Sequence, residues 1–285
     1  MTSSEPGTSQ LLRIAADRYG RAELVEEWTW PHGESRVARV RTGSGDVVVK
    51  WVRSPRTFAR EVRALREFTP LLAGDASQLL DLDETAQVVV VTFLPGDLAS
   101  SPRWSEQPAV HERAGRLLRR LHESAPPQPL PDYAEQLLKS FDSWAERAAA
   151  LVDASDLGRA RAVAATVADL GPVDGVPAHR DNSERNWLVD DAGHVRLIDF
   201  GACDVEPWWV DLQRLEAREW SGRPDLQQAF LAGYGRTIDD RTRHLLRAYR
   251  ARAAVSTIAW ATEHGDRVFA DEGRAQLKAL LAEGR

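Results

Sequence analysis

The sequence predicts an α+β chain in two lobes, a small antiparallel β-sheet lobe with one helix followed by a larger, mainly helical lobe. Three observations predict it. Val37-Ala38-Arg39-Val40-Arg41 and Val47-Val48-Val49-Lys50-Trp51-Val52 flank Thr42-Gly43-Ser44-Gly45-Asp46, a hairpin signal with a glycine-containing turn. The apolar run over residues 87–93 stops at Leu94-Pro95-Gly96-Asp97, which breaks a strand. From residue 108 onward apolar residues recur at helical spacing, with one further hairpin signal among them.

In order along the chain, residues 1–10 are polar and read as a disordered tail. Residues 11–94 form the first lobe, strand-rich, with a helix over 56–68 in which Phe58, Val62 and Leu65 share a face. Residues 95–285 form the second. Its first helix, 108–122, carries Ala114, Leu117, Leu118 and Leu121, and Pro126-Pro127-Gln128-Pro129-Leu130-Pro131 follows as a connector. Further helices are expected over 133–151, 157–170, 212–220, 224–234 and 242–264. Between them Asn186-Trp187-Leu188-Val189 and Val195-Arg196-Leu197-Ile198-Asp199 flank Asp190-Asp191-Ala192-Gly193 as a β-hairpin.

Composition narrows the function classes. With 43% hydrophobic and 28% charged residues the chain buries a sizeable core, and a net charge of −6 supplies no basic field for nucleic acid or an anionic membrane. One cysteine excludes an intrachain disulfide and a Cys-rich zinc site, and the seven histidines show no H-E-x-x-H spacing. The longest apolar run, residues 88–94, is far short of the roughly 20 residues of a membrane helix. The first residues lack the basic and apolar regions of a secretory signal, so a cytoplasmic protein is expected. Of the 37 basic residues only Lys50, Lys139 and Lys278 are lysines, a bias that suits GC-rich coding.

Antiparallel pairing about the Asp191-Ala192-Gly193 turn brings Asn186 near Asp199, with Asp181 on the entering loop. One amide and two carboxylates converge there, a donor set for a hard cation such as Mg2+ that keeps waters and shares positions with phosphate oxygens. Lys50 sits in a strand with Val48 and Val52 on its own face and Val49 and Trp51 on the other, so its ammonium needs an anionic partner. Glu61, bordering the inward face of helix 56–68, is well placed to supply it. A purely structural ion pair or a snorkelling surface lysine is the alternative. Gly43-Ser44-Gly45 is only a turn, since no helix follows it, and no G-x-x-x-x-G-K phosphate loop occurs.

The order His179-Arg180-Asp181, four residues, Asn186, then Asp199-Phe200-Gly201 resembles the catalytic and metal loops of the protein-kinase-like superfamily. Only six residues separate Gly201 from Trp208-Trp209-Val210-Asp211, with no long activation segment and no Ala-Pro-Glu. In this the chain resembles the aminoglycoside phosphotransferase and choline kinase family, as it does in the helices containing Gly115-Arg116-Leu117-Leu118 and Phe230-Leu231-Ala232-Gly233. The resemblance implies a two-lobed protein-kinase-like fold, with residues 11–94 as the nucleotide-binding lobe and 95–285 as the catalytic and acceptor-binding lobe. It implies ATP or GTP as donor, Asp181 as the catalytic base, and Asn186 and Asp199 as magnesium ligands. Lys50 would hold the phosphates and Glu61 would orient Lys50; Thr92-Phe93-Leu94 would be the hinge that binds the base, and His179 and Asp211 would support the catalytic loop.

Two features depart from that pattern. Pro31-His32-Gly33-Glu34-Ser35-Arg36 stands in the place of the phosphate loop with one glycine instead of three, leaving backbone groups or Ser35 to meet phosphate. Arg180 stands where the family usually has glycine. For the acceptor, Asp204, Glu206, Trp208, Trp209, Glu216, Glu219, Trp220, Trp260 and Glu263 supply acids and aromatic faces for a cationic, amine-bearing molecule. Tryptophans at helical spacing also read as core, and Arg214 and Arg218 as neutralising partners. Cys203 is a mildly reactive thiol or a small packed residue.

The expectation is therefore a small-molecule kinase, as monomer or homodimer, acting on a hydroxyl of an aminoglycoside or another basic antibiotic. A metabolic kinase for choline, homoserine, an amino sugar or a glycated amine is the alternative within enzymes, and a nucleotide-binding pseudokinase the alternative outside them.

Overall fold

A computed structural model describes residues 7–29 and 35–283. The first six residues of the expected tail, and Pro31, His32, Gly33 and Glu34 of the expected phosphate loop, lie outside the described residues. The chain opens with α1 (Thr8–Tyr19), β1 (Ala22–Thr29), β2 (Ser35–Thr42), β3 (Gly45–Val52), α2 (Pro55–Glu67), β4 (Leu79–Asp83) and β5 (Val88–Thr92). There follow β6 (Asp97–Leu98), α3 (Pro108–His122), β7 (Gln128–Leu130), α4 (Tyr133–Ala148), α5 (Ala154–Ala165), β8 (Val173–Ala178), β9 (Trp187–Val189) and β10 (Val195–Leu197). It closes with β11 (Asp204–Glu206), α6 (Gln213–Ala217), α7 (Pro224–Tyr234), α8 (Asp240–Glu263) and α9 (Arg267–Ala282).

Compactness does not divide the chain at Leu94. One unit comprises residues 1–126, 177–204 and 222–235; the other comprises 127–176, 205–221 and 236–285. In the first, five antiparallel strands lie in the order β1-β2-β3-β5-β4. Val47, Val49 and Trp51 of β3 share a core with Ala38, Val40, Val88 and Val90, and Leu11 and Ala15 of α1 close it. The helix corrects the expectation of a tail through residue 10 with strands beyond it. Leu11 and Ala15 of α1 are buried, Leu12, Ile14 and Tyr19 pack beside them, and Gly20 at φ 76° stops the helix. With α1 on one face, the other face of β3 is left for Lys50 and α2. The helix α2 begins where Ser54 Oγ accepts from the Thr57 N–H at 3.3 Å and Pro55 takes the first turn, and it buries Phe58, Glu61, Val62, Ala64 and Leu65.

The same unit contains the expected second hairpin, with Val195 opposite Val189 and Leu197 opposite Trp187, and β6 pairs with the far side of β9. Asp190 closes its turn, accepting from the Ala192 and His194 N–H groups and from Arg196, and these donors hold its carboxyl below the usual carboxylate range. Helices α3 and α7 cross so closely that a Cβ at Gly115 would collide with the Phe230 carbonyl, and one at Gly233 with that of Glu112.

The second unit is organised on α8, whose Ala251, Ala254, Val255, Ile258 and Ala259 pack with Phe141, Ala160 and Leu277, Leu280 and Leu281 of α9. Helix α9 was not anticipated. Asp266 caps it, accepting from the Phe269 N–H at 3.0 Å, and Gly273 sits where a Cβ would meet Ile258, so its contact face is partly glycine. The helix expected over 157–170 is α5 followed by a 3-10 turn, Thr166–Leu170. That expected over 212–220 shortens to α6 because the Trp220 N–H turns back to the Leu215 carbonyl at 2.8 Å. A three-stranded sheet, β11-β8-β7, completes the strands. Among the described residues no helix is long and apolar enough to cross a membrane.

Candidate active site

The site begins with a charge that the fold makes costly to bury. Lys50 lies in a central strand, flanked in register by Val37 and Val89, and its side chain is 9% exposed. Unpaired, such an ammonium costs several kcal/mol. Here Nζ donates to Glu61 Oε1 at 2.8 Å and to Asp199 Oδ1 at 2.8 Å. Burial opposes its charge, but two carboxylates outweigh burial and its pKa is raised. The partners are unequal: Glu61 is 5% exposed and Asp199 47%. Burial pushes the Glu61 carboxyl up, whereas at Asp199 the Lys50 ammonium overcomes burial and brings the value down to about 2. Glu61 Oε2 is buried without a hydrogen-bond partner, so Lys50 anchors this carboxylate through its other oxygen.

Asp199 is presented by a backbone that only a constrained site sustains. Its φ is 63°, and that of Arg180 is 64°; with Gln87 these are the only non-glycine residues at positive φ among the described residues. Each such conformation costs about 1–3 kcal/mol. His179 helps to hold both segments together, its buried ring bonded through Nε2 to the Ile198 carbonyl at 3.0 Å and set against Phe200. The Ile198 N–H donates in turn to the Asn186 carbonyl at 3.1 Å, which sets the amide and Asp199 on adjacent strand ends as the hairpin pattern requires.

Asp181 is fixed from two sides. Asn186 Nδ2 donates to its backbone oxygen at 2.8 Å and its Oδ2 at 3.0 Å, and Arg185 Nη2 reaches Oδ1 and Oδ2 at 3.0 and 3.2 Å. With both amide hydrogens of Asn186 committed, its Oδ1 is left as acceptor. That oxygen and the Asp199 carboxylate make an all-oxygen, incomplete donor set, which fits a hard cation that retains several waters.

Three contacts below this loop escaped the sequence reading. Trp187 Nε1 donates to Asn182 Oδ1 at 2.8 Å, His111 Nε2 meets Glu184 Oε1 at 3.0 Å, and the His111 ring stands edge-on to Trp187. They seat the loop on α3. The available signal was His111 itself, a histidine in register with Ala114 and Leu118 on an apolar helix face.

The remaining candidates are placed as follows. Thr92 ends β5, its N–H bonded to the Gln78 carbonyl and its Oγ1 accepting from the Gln78 N–H; Phe93 lies under the Arg39 guanidinium at 3.9 Å, and Leu94 is half-buried. Ser35 opens β2 opposite Val52. Asp204 meets Arg60 at 3.0 Å, Arg180 at 3.7 Å and Arg63 at 3.8 Å. Cys203 and Asp211 are buried. Trp209 is packed edge-on between Tyr133 and Tyr249, Trp220 is buried, and Trp260 stacks on His264. Glu263 is gripped by Arg147, while Glu206 and Glu216 are half-buried.

Residues 31–249 match the model of the phosphotransferase enzyme family. The chain belongs to that family. Among solved structures, this phosphotransferase is similar to aminoglycoside phosphotransferase APH(4)-Ia, with 15% identity and a TM-score of 0.76, the match covering 98% of this chain and 100% of the other. A choline/ethanolamine kinase family protein from Mesorhizobium loti gives 20% identity, a TM-score of 0.73, and coverage of 96% and 94%. Macrolide 2'-phosphotransferase MphH from Brachybacterium faecium gives 19% identity, a TM-score of 0.62, and coverage of 94% and 97%. No curated protein sequence matches. The kinase-like fold of this small-molecule phosphotransferase, an antiparallel sheet lobe and a helical lobe, is the one the sequence predicted.

Proposed function

We propose that the phosphotransferase moves the γ-phosphoryl group of ATP or GTP to a hydroxyl of a small amine-bearing acceptor, an aminoglycoside or related basic natural product. Residues 11–94 serve as the nucleotide lobe and 95–285 as the catalytic and acceptor lobe. The observation that carries the reading is Lys50 held at 2.8 Å by both Glu61 and Asp199. An ammonium has three donors, so two are spent on these carboxylates and one is left for a phosphate oxygen. Glu61 orients Lys50, and residues 92–94 at the end of β5 receive the base.

Asp181, immobilised by Arg185 and Asn186, accepts the hydroxyl proton and aims the oxygen at phosphorus. Asn186 and Asp199 would hold a magnesium ion, which would supply charge neutralisation for the phosphate oxygens. Glu206 and Glu216 are the acids we assign to the amines of the acceptor, since Trp209 and Trp220 are buried and Glu263 is taken up by Arg147. The ternary complex of an APH(4)-Ia variant with ADP and hygromycin B supports the choice of acceptor class.

The test is phosphoryl transfer from ATP or GTP with Mg2+ to a panel of aminocyclitols, amino sugars and amino alcohols, with products read by mass. Asp181→Ala should lower kcat by roughly 10²- to 10⁴-fold with nucleotide affinity nearly intact. Equal turnover in that variant overturns the assignment, and nucleotide binding with no product from any acceptor turns it into a pseudokinase.

A further inference from the structure

Arg180 is held at φ 64°, a conformation that glycine adopts without strain. The chain nevertheless keeps a long cationic side chain there, and its guanidinium is turned inward. That side chain is 18% exposed, with Nη1 3.4 Å from the Ala202 carbonyl and 3.7 Å from Asp204 Oδ2. The same Asp204 oxygen accepts from Arg60 Nε at 3.0 Å, and its other oxygen faces Arg63 Nη1 at 3.8 Å.

The neighbours in sequence give this cluster its meaning. Arg60 precedes Glu61 on α2, Arg180 precedes Asp181, and Asp204 stands five residues beyond Asp199. One carboxylate thus ties together the three segments that carry the Lys50 partner, the proton acceptor and the metal-side aspartate. We propose that Asp204, Arg60 and Arg180 form a bracket that fixes α2 against the Asp181 loop, with Arg180 and Asp204 as positioning residues for phosphoryl transfer. The bracket rests on the function proposed above, and it assigns Asp204 to holding the site rather than to binding the acceptor.

The charges give the bracket a distinctive signature. Three guanidinia face one carboxylate, and Arg63 is shared with Glu67 at 3.0 Å. Burial together with the Arg180 and Arg56 charges lowers the Arg60 pKa, and Asp204 opposes them. Without Asp204 the cations confront one another. Loss of Asp204 is therefore worse than loss of Arg180, and loss of Arg180 in its absence relieves repulsion. Independent contributions have the opposite sign, because there the second loss adds to the first.

The experiment compares wild type, Arg180→Gly, Asp204→Asn and the double variant by thermal unfolding, by hydrogen exchange over residues 55–67 and 179–186, and by steady-state kinetics. Arg180→Gly should keep or raise Tm, because glycine removes the strain, yet increase exchange in both segments. Its kcat should fall about tenfold to a hundredfold, the scale of a small misplacement of reacting groups, with nucleotide KM changed by no more than about threefold. Asp204→Asn should fall further, and the double variant should recover part of that loss. Exchange altered only beside each substitution, an unchanged kcat in Arg180→Gly, or additive losses in the double variant would each overturn the bracket. Wild-type protein that binds nucleotide but phosphorylates no acceptor overturns the proposed function instead, and the exchange of the two segments then still decides the bracket.

Discussion

Buried polar side chains are distributed unequally between the two compact units. Of the fourteen buried polar or charged residues among those described, twelve lie in the unit that holds Lys50, Asp181 and Asp199, and only Asp211 and Thr242 in the other. The second unit is built around Ala251, Ile258, Leu277 and their neighbours, with acids such as Glu263 and Glu272 paired to arginines near its surface. Taking charge out of water is expensive, so a chain concentrates that expense where it positions chemistry and uses hydrocarbon elsewhere. Substitution of the buried charges of the first unit should therefore lose function and stability together, and substitution in the hydrocarbon core of the second stability alone.

The sharpest break of that contrast comes at Lys50. Lys50→Met strands the buried Glu61 carboxylate, and chemical denaturation should show a loss of about 3–5 kcal/mol, as for other buried pairs deprived of one partner. Phosphoryl transfer should fall at least about a hundredfold. Adding Glu61→Gln should return much of the stability and none of the turnover; recovery of both would make the pair merely structural. Next in size is Gly115→Ala, which drives a methyl into the Phe230 carbonyl and should cost about 1–3 kcal/mol of unfolding free energy by overpacking. In the second unit Ile258→Val should cost about 1 kcal/mol by the same measurement, with kcat within about twofold of wild type. A larger loss of turnover there would erase the contrast.

The smallest effect is expected at Glu216, whose carboxyl burial pushes up against the lowering charges of Arg250 and Arg243. A raised acid favours its protonated form when folded, so its contribution is present below the ordinary 4.5 and is lost as pH rises through the folded value. Glu216→Gln should therefore be slightly more stable than wild type at pH 7, and the gap should close below about pH 4.5 in Tm measured against pH. The same variant should raise KM for amine-bearing acceptors and leave neutral ones alone.

Local patterns made much of this legible. Alternation about a glycine turn announced β2 and β3, a full apolar stripe with flanking prolines announced α3, and the spacing from Asp181 through Asn186 to Asp199 placed the loop and hairpin. What stayed hidden depends on partners far away in sequence. Helix α1 is a short segment whose apolar residues, Leu11, Leu12, Ile14, Ala15 and Tyr19, find their partners only in the sheet it covers. The apolar stripe of α9 is interrupted by Gly273, whose value lies in the close approach of Ile258. His111 and Glu184 meet across 73 positions and Arg60 and Asp204 across 144, distances over which charge pairing leaves no periodic trace. From the sequence alone Asp204 is an acid with no cation beside it, because Arg60, Arg63 and Arg180 are written elsewhere in the chain.

The scarcity of lysine gives Lys50 one more property. Lys139 and Lys278 are exposed, whereas Lys50 is buried, protonated and clasped. An amine-acylating reagent acts on the deprotonated, accessible form, so on the folded protein two lysine side chains are open to it and the third is shielded. Acylation at Lys50 thus marks the moment when its ion pairs part, and the molecule carries its own single-residue chemical gauge of whether the cluster of Lys50, Glu61 and Asp199 is assembled.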